Sequence, residues 1–278
     1  MSNMKTQLDN CHITYIIATY NCINEVDVLI NTVSSLSDLP VEFVVSDGGS
    51  SDGTLEILKD APNLIIACSS PDKGIYDAWN RAIPFAKGKY IGFIGVDDIP
   101  QREFIQEAII VSNSSPSISL LYGDVCMKRN DLYRKIIAPE ISDLLMNTRP
   151  CLDIPHQGML HSRSLFIENE FNSDFKIAGD LHFLLKVHQK GLIFSHRKLN
   201  NLQAVVDGDG ISRSAQAWHI LLPEYKIIEQ DLCLKLGYSH VKTKILSFFR
   251  YMPSIFLLIK KISWQVKGTK KLGSVKFT

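Results

Sequence analysis

Along roughly the first 125 residues, short continuous apolar runs alternate with stretches whose apolar positions recur every three or four residues. The runs at 13–18, 41–45, 64–68, 90–94 and 118–122 are rich in β-branched or aromatic residues. Each has the length and make-up of a strand buried on both faces. The stretches 26–36, 54–59, 75–86 and 102–111 carry helical spacing. In the third, Ile75, Trp79, Ala82, Ile83 and Ala86 share one face, and Gly88 stands where a helix would end. The alternation predicts an α/β fold, a mostly parallel central sheet flanked by helices. Such sheets bind ligands at the carboxyl ends of their strands.

From about Arg149 the pattern changes. The stretch from Pro155 to His161 precedes a short helix at 165–169, and residues 175–179 lead into a second helix at 180–190 that opens with Asp180. A polar, glycine-containing loop at 207–214 and a long helix-like stretch at 218–236 follow. No internal repeat or low-complexity segment interrupts them.

Four consecutive strand ends carry polar or acidic clusters: Thr19-Tyr20-Asn21, then Ser46-Asp47-Gly48-Gly49-Ser50-Ser51-Asp52-Gly53-Thr54, then Ser70-Pro71-Asp72-Lys73-Gly74, then Gly95-Val96-Asp97-Asp98. Their succession along one sheet edge predicts a continuous site. Gly48 and Gly49 permit positive φ and let backbone approach a neighbour closely. Asp47, at a strand end, can accept hydrogen bonds from a base or ribose, whereas Asp52-Gly53-Thr54 reads as a helix cap. Lys73 could neutralise phosphate charge, and Asp77 and Asn80 lie i, i+3 on one helix face. Trp79 belongs to the core. The adjacent acids Asp97 and Asp98 suit a hard divalent cation, which neutralises a departing diphosphate.

The ordered set resembles the inverting glycosyltransferase family 2, with its GT-A fold, over roughly residues 13–214. The runs SDGGSSDGT, SPDKGIYDAWNRAI, GVDD and IAGD stand in family order at family-like spacing. The resemblance implies a nucleotide-sugar donor, UDP-linked by preference, bound by Thr19, Tyr20, Asn21 and Asp47, with Asp72, Lys73, Asp77 and Asn80 supporting it. It implies Asp98 as the ligand of Mn²⁺ or Mg²⁺, and Asp97 against ribose or donor sugar. It assigns Asp180 as the base that takes the acceptor hydroxyl proton in a single in-line displacement. Relatives often carry Glu-Asp there; this chain has Gly179-Asp180. His156 and Gln157 fall near acceptor or donor sugar, and Ser212 in a segment that covers the donor in relatives. His161 reads as structural and His219 as a surface helical residue.

Composition refines this picture. The chain has 278 residues, 45% hydrophobic and 21% charged, as an ordinary globular protein does. The net charge of +1 conceals an asymmetry: no acid follows Asp231, and ten of the 30 basic residues do. The body to Asp231 therefore carries 20 basic against 29 acidic residues, a net of −9. An acidic body with a basic tail suggests a negatively charged surface as partner of the tail only, and no nucleic acid partner is expected. Six dispersed cysteines with no CxxC pair read as free thiols in a reducing compartment. No signal pattern opens the chain, and the apolar stretch 245–259, broken by Arg250 and Pro253, is too short to span a bilayer.

The expected organisation is a GT-A domain over residues 1–235, its 1–125 half binding nucleotide sugar and its 126–235 half binding acceptor, then a basic amphipathic tail at 236–278. The expected activity moves a hexose or N-acetylhexosamine onto a glycan, with a lipid-linked oligosaccharide as the expected acceptor, in bacterial surface-polysaccharide or O-antigen synthesis. The expected setting is cytoplasmic, with the tail either resting on the inner face of the membrane or packed as a helix on the catalytic body with a basic, solvated end. Two other classes fit less well. A sugar nucleotidyltransferase would carry a glycine- and lysine/arginine-rich first loop in place of Thr19-Tyr20-Asn21. A non-catalytic nucleotide-sugar-binding partner subunit would have no need of both Asp98 and Asp180.

Overall fold

The computed structural model describes residues 11–141, 156–193, 195–207 and 217–236. Strands β1 (Ile13–Thr19), β2 (Val41–Asp47), β3 (Leu64–Ser69) and β4 (Tyr90–Ile94) pair in parallel in the order β3-β2-β1-β4. Helices α1 (Val26–Ser35), α2 (Thr54–Asp60) and α3 (Ile75–Ala82) link them. A two-residue strand β5 (Ile99–Pro100) and helix α4 (Arg102–Ser114) follow. Successive side chains of β1 enter opposite cores: Ile16 packs with Trp79 and Phe93 on one face, Tyr15 and Ile17 with Val33 and Phe104 on the other. This is why the strands read as unbroken apolar runs.

Four departures from the sequence expectation have local causes. The third helix stops at Ala82 and becomes a 3-10 turn over Ile83–Phe85. Pro84 has no N–H to continue the ladder, and its ring clashes with the carbonyl four residues back. Its buried face is Tyr76, Ala78, Trp79 and Ala82, while Ile75 stays exposed. The helix expected at 165–169 is a 3-10 turn, Arg163–Phe166. The strand expected at 118–122 begins at Leu120, as β6 (Leu120–Tyr122).

Periodicity missed the strands that complete the sheets. β7 (Val125–Arg129) and β8 (Leu132–Ile136) form a hairpin turning through Asn130 at φ 52°. β9 (Met159–Ser162) inserts antiparallel between β4 and β6, and β10 (His196–Lys198) pairs in parallel outside β6. β11 (Ala204–Asp207) joins β5, β7 and β8 in a second sheet of order β5-β11-β7-β8. Among the described residues the main sheet thus has seven strands, all parallel except β9. Strands from beyond residue 126 lie within it, so the two expected halves share one framework. Helix α5 (Gly179–Gln189) and helix α6 (Ala217–Asp231) complete the described elements. No helix among the described residues is long and apolar enough to cross a membrane. Cys11, Cys22, Cys68, Cys126 and Cys233 are free thiols. The basic tail, from residue 237 onward, and Ser212 lie outside the described residues.

Candidate active site

The carboxyl ends of β1 and β2 are aligned, with Thr19 opposite Asp47. Asp47 is fully buried and accepts five hydrogen bonds: from the Gly49 and Ser50 N–H groups, both at 3.0 Å, and from the hydroxyls of Ser50 at 2.6, Ser69 at 2.9 and Thr19 at 3.1 Å. Burial alone would push its carboxyl up. These donors outweigh burial and hold it below the usual carboxylate range. A carboxylate offers about four lone-pair sites. The side chain thus ties its own loop to the carboxyl ends of β1 and β3.

The rest of that loop is organised in the same way. Asp52 accepts from the Thr54 N–H and hydroxyl and, with its other oxygen, from the Ile23 N–H, so the cap of α2 also ties down the loop after β1. Asn21, at φ 46°, donates its N–H to the Ser50 hydroxyl and accepts from the Ser51 N–H. Gly49 uses the expected positive φ, at 86°. Gly48 serves close approach instead: a Cβ there would lie 2.8 Å from Asp72 Oδ2. Tyr20 is exposed beside Gly48, with its ring edge 3.3 Å from the same point.

Asp72 accepts from the Gly74 N–H, and Asp77 from the Lys73 N–H at 3.0 Å and from Arg81 at 2.7 Å. The Lys73 side chain is exposed. Asp77 and Asn80 are one turn apart yet serve different neighbours. Asn80 clamps the Phe171 backbone from both sides, donating to its carbonyl at 2.8 Å and accepting from its N–H at 3.0 Å. In this structure Asn80 joins α3 to the segment before α5.

The two acids after β4 differ in environment. Asp98 is 2% exposed, and its Oδ2 accepts the Gly95 N–H at 2.6 Å. Burial, with the charge of Asp97, pushes its carboxyl up to about 6, against the lowering effects of the Gly95 N–H, His156 and the Asp207 N–H. Asp97 is only partly buried. Its carboxyl is raised by burial and by the charges of Asp207 and Glu25. Both side chains fold back over Gly95, where a Cβ would meet Asp97 Oδ1 at 3.1 Å and Asp98 Oδ2 at 3.2 Å. The more accessible acid is Asp97, not the Asp98 expected to hold a metal.

Asp180 opens α5, with Oδ2 3.5 Å from His156 Nδ1. Its Oδ1 accepts the Leu181 N–H at 2.8 Å and lies 3.3 Å from the Tyr76 hydroxyl. The His156 ring packs on Trp79 at 5.2 Å between centroids, and its charge also acts on Asp98. Asp180 and Asp98, more than 80 residues apart in sequence, are thus both acted on by one histidine. Gln157 sits in the same 3-10 turn, half-buried. His161 is buried among Phe93, Phe166 and Phe183, and burial lowers its pKa to about 4, so it is neutral and structural. His219 is exposed on α6.

Asp207 was not singled out in the sequence, although an acid after the short apolar run Ala204-Val205-Val206 repeats the strand-end signal. Gly179 explains the missing first acid of the expected Glu-Asp pair. A Cβ there would stand 2.7–2.9 Å from the Tyr76 ring, which fills that space.

The described residues contain no group of three or more His, Cys, Asp or Glu side chains arranged to hold a metal ion. The pair itself fits a divalent cation in kind. It presents two hard carboxylates whose oxygens approach one point over Gly95, and ionising both in this buried corner calls for a positive charge nearby.

Comparison with known proteins agrees with the fold and its strand-end loops. Residues 14–147 match the model of the family described as glycosyl transferase family 2. A PGL/p-HBAD biosynthesis glycosyltransferase of Mycobacterium bovis is 30% identical over 178 residues, 62% of this chain and 67% of that protein. Among solved structures, S. aureus TarS 1-349 in complex with UDP-GlcNAc superposes with a TM-score of 0.61 at 18% identity, over 84% of this chain and 70% of that one. The mannosyltransferase PcManGT of Pyrobaculum calidifontis, in complex with GDP-Man and Mn²⁺, gives 0.55 at 18% identity, over 87% and 70%. The chain belongs to glycosyl transferase family 2 and has the GT-A fold. It is a glycosyltransferase.

Proposed function

We propose that this enzyme transfers a hexose or N-acetylhexosamine, with inversion, from a nucleotide diphosphate to a glycan hydroxyl. UDP is the preferred nucleotide, as in the TarS complex; GDP, held by PcManGT, is the second choice. The observation that carries the reading is His156, which stands 3.5 Å from Asp180 while its charge acts on Asp98. An inverting displacement needs a base on the face opposite the leaving group. Here one acid stands apart from the pair that would face a diphosphate.

In this reading Asp97 contacts Mn²⁺ or Mg²⁺, and Asp98 orders the turn from beneath through the Gly95 N–H. When bound, the cation neutralises the charge that grows on the departing diphosphate. Thr19, Tyr20 and Asn21 border the nucleoside, with Asp47 shaping the loop behind them. Lys73 faces solvent at the start of α3, where it can reach phosphate. Asp180 accepts the acceptor hydroxyl proton, and His156 and Gln157 line the sugar between the two acids. The acceptor is proposed to be a lipid-linked glycan at the inner face of the cytoplasmic membrane, with the basic tail on the lipid. Sedimentation of the full chain, but not of residues 1–236, with anionic vesicles tests that placement.

The central test is thermal unfolding with UDP, GDP or dTDP, each with and without Mn²⁺. A ligand at about 100 times its Kd stabilises by about 2.7 kcal/mol. UDP with Mn²⁺ is expected to give the largest shift. No metal-dependent shift with any nucleotide refutes the donor assignment.

A further inference from the structure

Three consecutive backbone N–H groups, those of Lys176, Ile177 and Ala178, converge on one carboxylate. It belongs to Glu224, on α6, which is 6% exposed. Oε1 takes the Lys176 N–H, and Oε2 takes Ile177 at 3.1 Å and Ala178 at 2.7 Å. Successive N–H groups directed to one point form a nest for an anion, and charge-assisted bonds of this kind are roughly twice as strong as neutral ones. Here the anion comes from the protein itself. Directly after the nest comes Gly179, and then Asp180.

The same turn is gripped from the other side by α3. The Tyr76 hydroxyl lies 2.6 Å from the Ile177 carbonyl and 3.3 Å from Asp180 Oδ1, so its single proton serves both. The ring occupies the space a side chain at Gly179 would need. It is itself fixed against Trp79 and Phe171, at 5.3 and 5.6 Å between centroids. Opposite edges of one peptide segment are therefore held: its N–H groups by a carboxylate on α6, and a carbonyl by a phenol on the donor-side helix. A second link joins α6 to α5, between buried His182 and Asp231 at 2.6 Å.

We propose that Glu224 and Tyr76 are positioning residues that together aim Asp180 at the acceptor hydroxyl. The proposal rests on Asp180 being the base. Neither residue touches substrate in this assignment; Glu224 acts through the Lys176–Ala178 backbone, and Tyr76 through the Ile177 carbonyl and the Asp180 carboxylate itself. Misplacing a reacting group by about 1 Å can cost on the order of 100-fold in rate. The expected signature is a loss in kcat with donor binding kept.

The experiment compares Glu224→Gln, Tyr76→Phe and Asp180→Asn in the full chain with Mn²⁺. UDP release is followed from UDP-glucose or UDP-N-acetylglucosamine, whichever the wild-type chain turns over faster, and UDP binding is measured by calorimetry. Glu224→Gln keeps the shape but turns an amide toward N–H groups, and Tyr76→Phe removes one hydroxyl. Each is expected to lower kcat at least tenfold, with donor KM and UDP affinity within about twofold of wild type. If Asp180→Asn abolishes turnover while both other variants keep wild-type kcat, positioning is wrong and the base assignment stands. If Asp180→Asn turns over normally, the base assignment falls and positioning falls with it. Should Glu224→Gln lose cooperative unfolding, Tyr76→Phe decides alone: unchanged kcat overturns the proposal. A raised KM at constant kcat overturns it as well.

Discussion

The loops after β1, β2 and β3 and the corner formed by Asp97, Asp98, His156 and Asp180 are both rich in acids, but the acids do opposite things. In the loops, Asp47, Asp52, Asp72 and Asp77 are each engaged by N–H groups within a few residues of themselves. Their charges are satisfied, and Asp47 and Asp52 are held below the usual carboxylate range. In the corner, Asp97 and Asp98 are pushed the other way, both chiefly by burial, Asp97 also by the charges of Asp207 and Glu25 and Asp98 by that of Asp97. The first region is folded by its acids. The second is strained by them, and such electrostatic strain marks candidate functional sites. An acidic motif can thus be prominent in sequence for reasons of loop architecture alone.

Several substitutions would break or sharpen this contrast, and the largest effect is expected at Asp180. Asp180→Asn should lower transfer by about 10²–10⁴-fold, the usual contribution of general base catalysis, with UDP affinity unchanged. Stopped assays of UDP release beside calorimetry would separate the two; retained turnover would remove Asp180 from the chemistry.

Next in size is Gly179→Ala. Its methyl group would meet a ring wedged between Trp79 and Phe171, so the start of α5 must shift. Turnover should drop by about tenfold or more, by the same sensitivity to placement. Wild-type turnover would mean that Tyr76 can move aside.

The third test sets the two regions directly against each other. Asp47→Ala leaves buried donors orphaned and should cost about 3 kcal/mol, in the range for hydrogen bonds to a charged group. Asp97→Asn removes a charge from a repulsive pair and should leave thermal stability equal or higher while weakening the Mn²⁺ response. Equal destabilisation by both would erase the distinction between the loops and the corner.

The smallest effect concerns pH. Asp98 titrates near 6 in the fold, above its ordinary value, so the native state holds its proton more tightly than the unfolded chain does. Stability from this group is therefore present at acid pH and lost as pH rises through about 6. A divalent cation favours the ionised pair, so its stabilising effect should grow over the same interval. Unfolding midpoints with and without Mn²⁺ at pH 5 and 7.5 should diverge only at the higher value; a Mn²⁺ shift independent of pH would separate the cation from these acids.

Much of the region around the loops after β1, β2 and β3 was legible in sequence because its causes are local. Apolar runs ending in Asp, Gly and Ser mark strand ends, and Asp52 two residues before Thr54 closes an Asx-type cap within its own loop. Gly49 announced a positive φ that the loop uses. The third helix was overextended because the helical spacing continues through Pro84, where backbone chemistry overrides it. Strand β9 was invisible because four residues, Met159 to Ser162, carry too short a pattern. Only pairing with β4 and β6 on either side makes them a strand.

By itself, then, the sequence determined the α/β class, the sheet edge that bears the site and the acids placed along it. Local hydrogen bonding and apolar periodicity act over a few residues and leave their mark in order along the chain. Tertiary structure alone decided which acid of the Asp97–Asp98 pair is accessible, that Asn80 serves Phe171, and that Gly179 makes room for Tyr76. It also decided that Glu224, some 44 residues downstream, holds the turn before Asp180. Burial, charge repulsion and close packing depend on what the rest of the chain brings alongside, and no window of sequence contains that information.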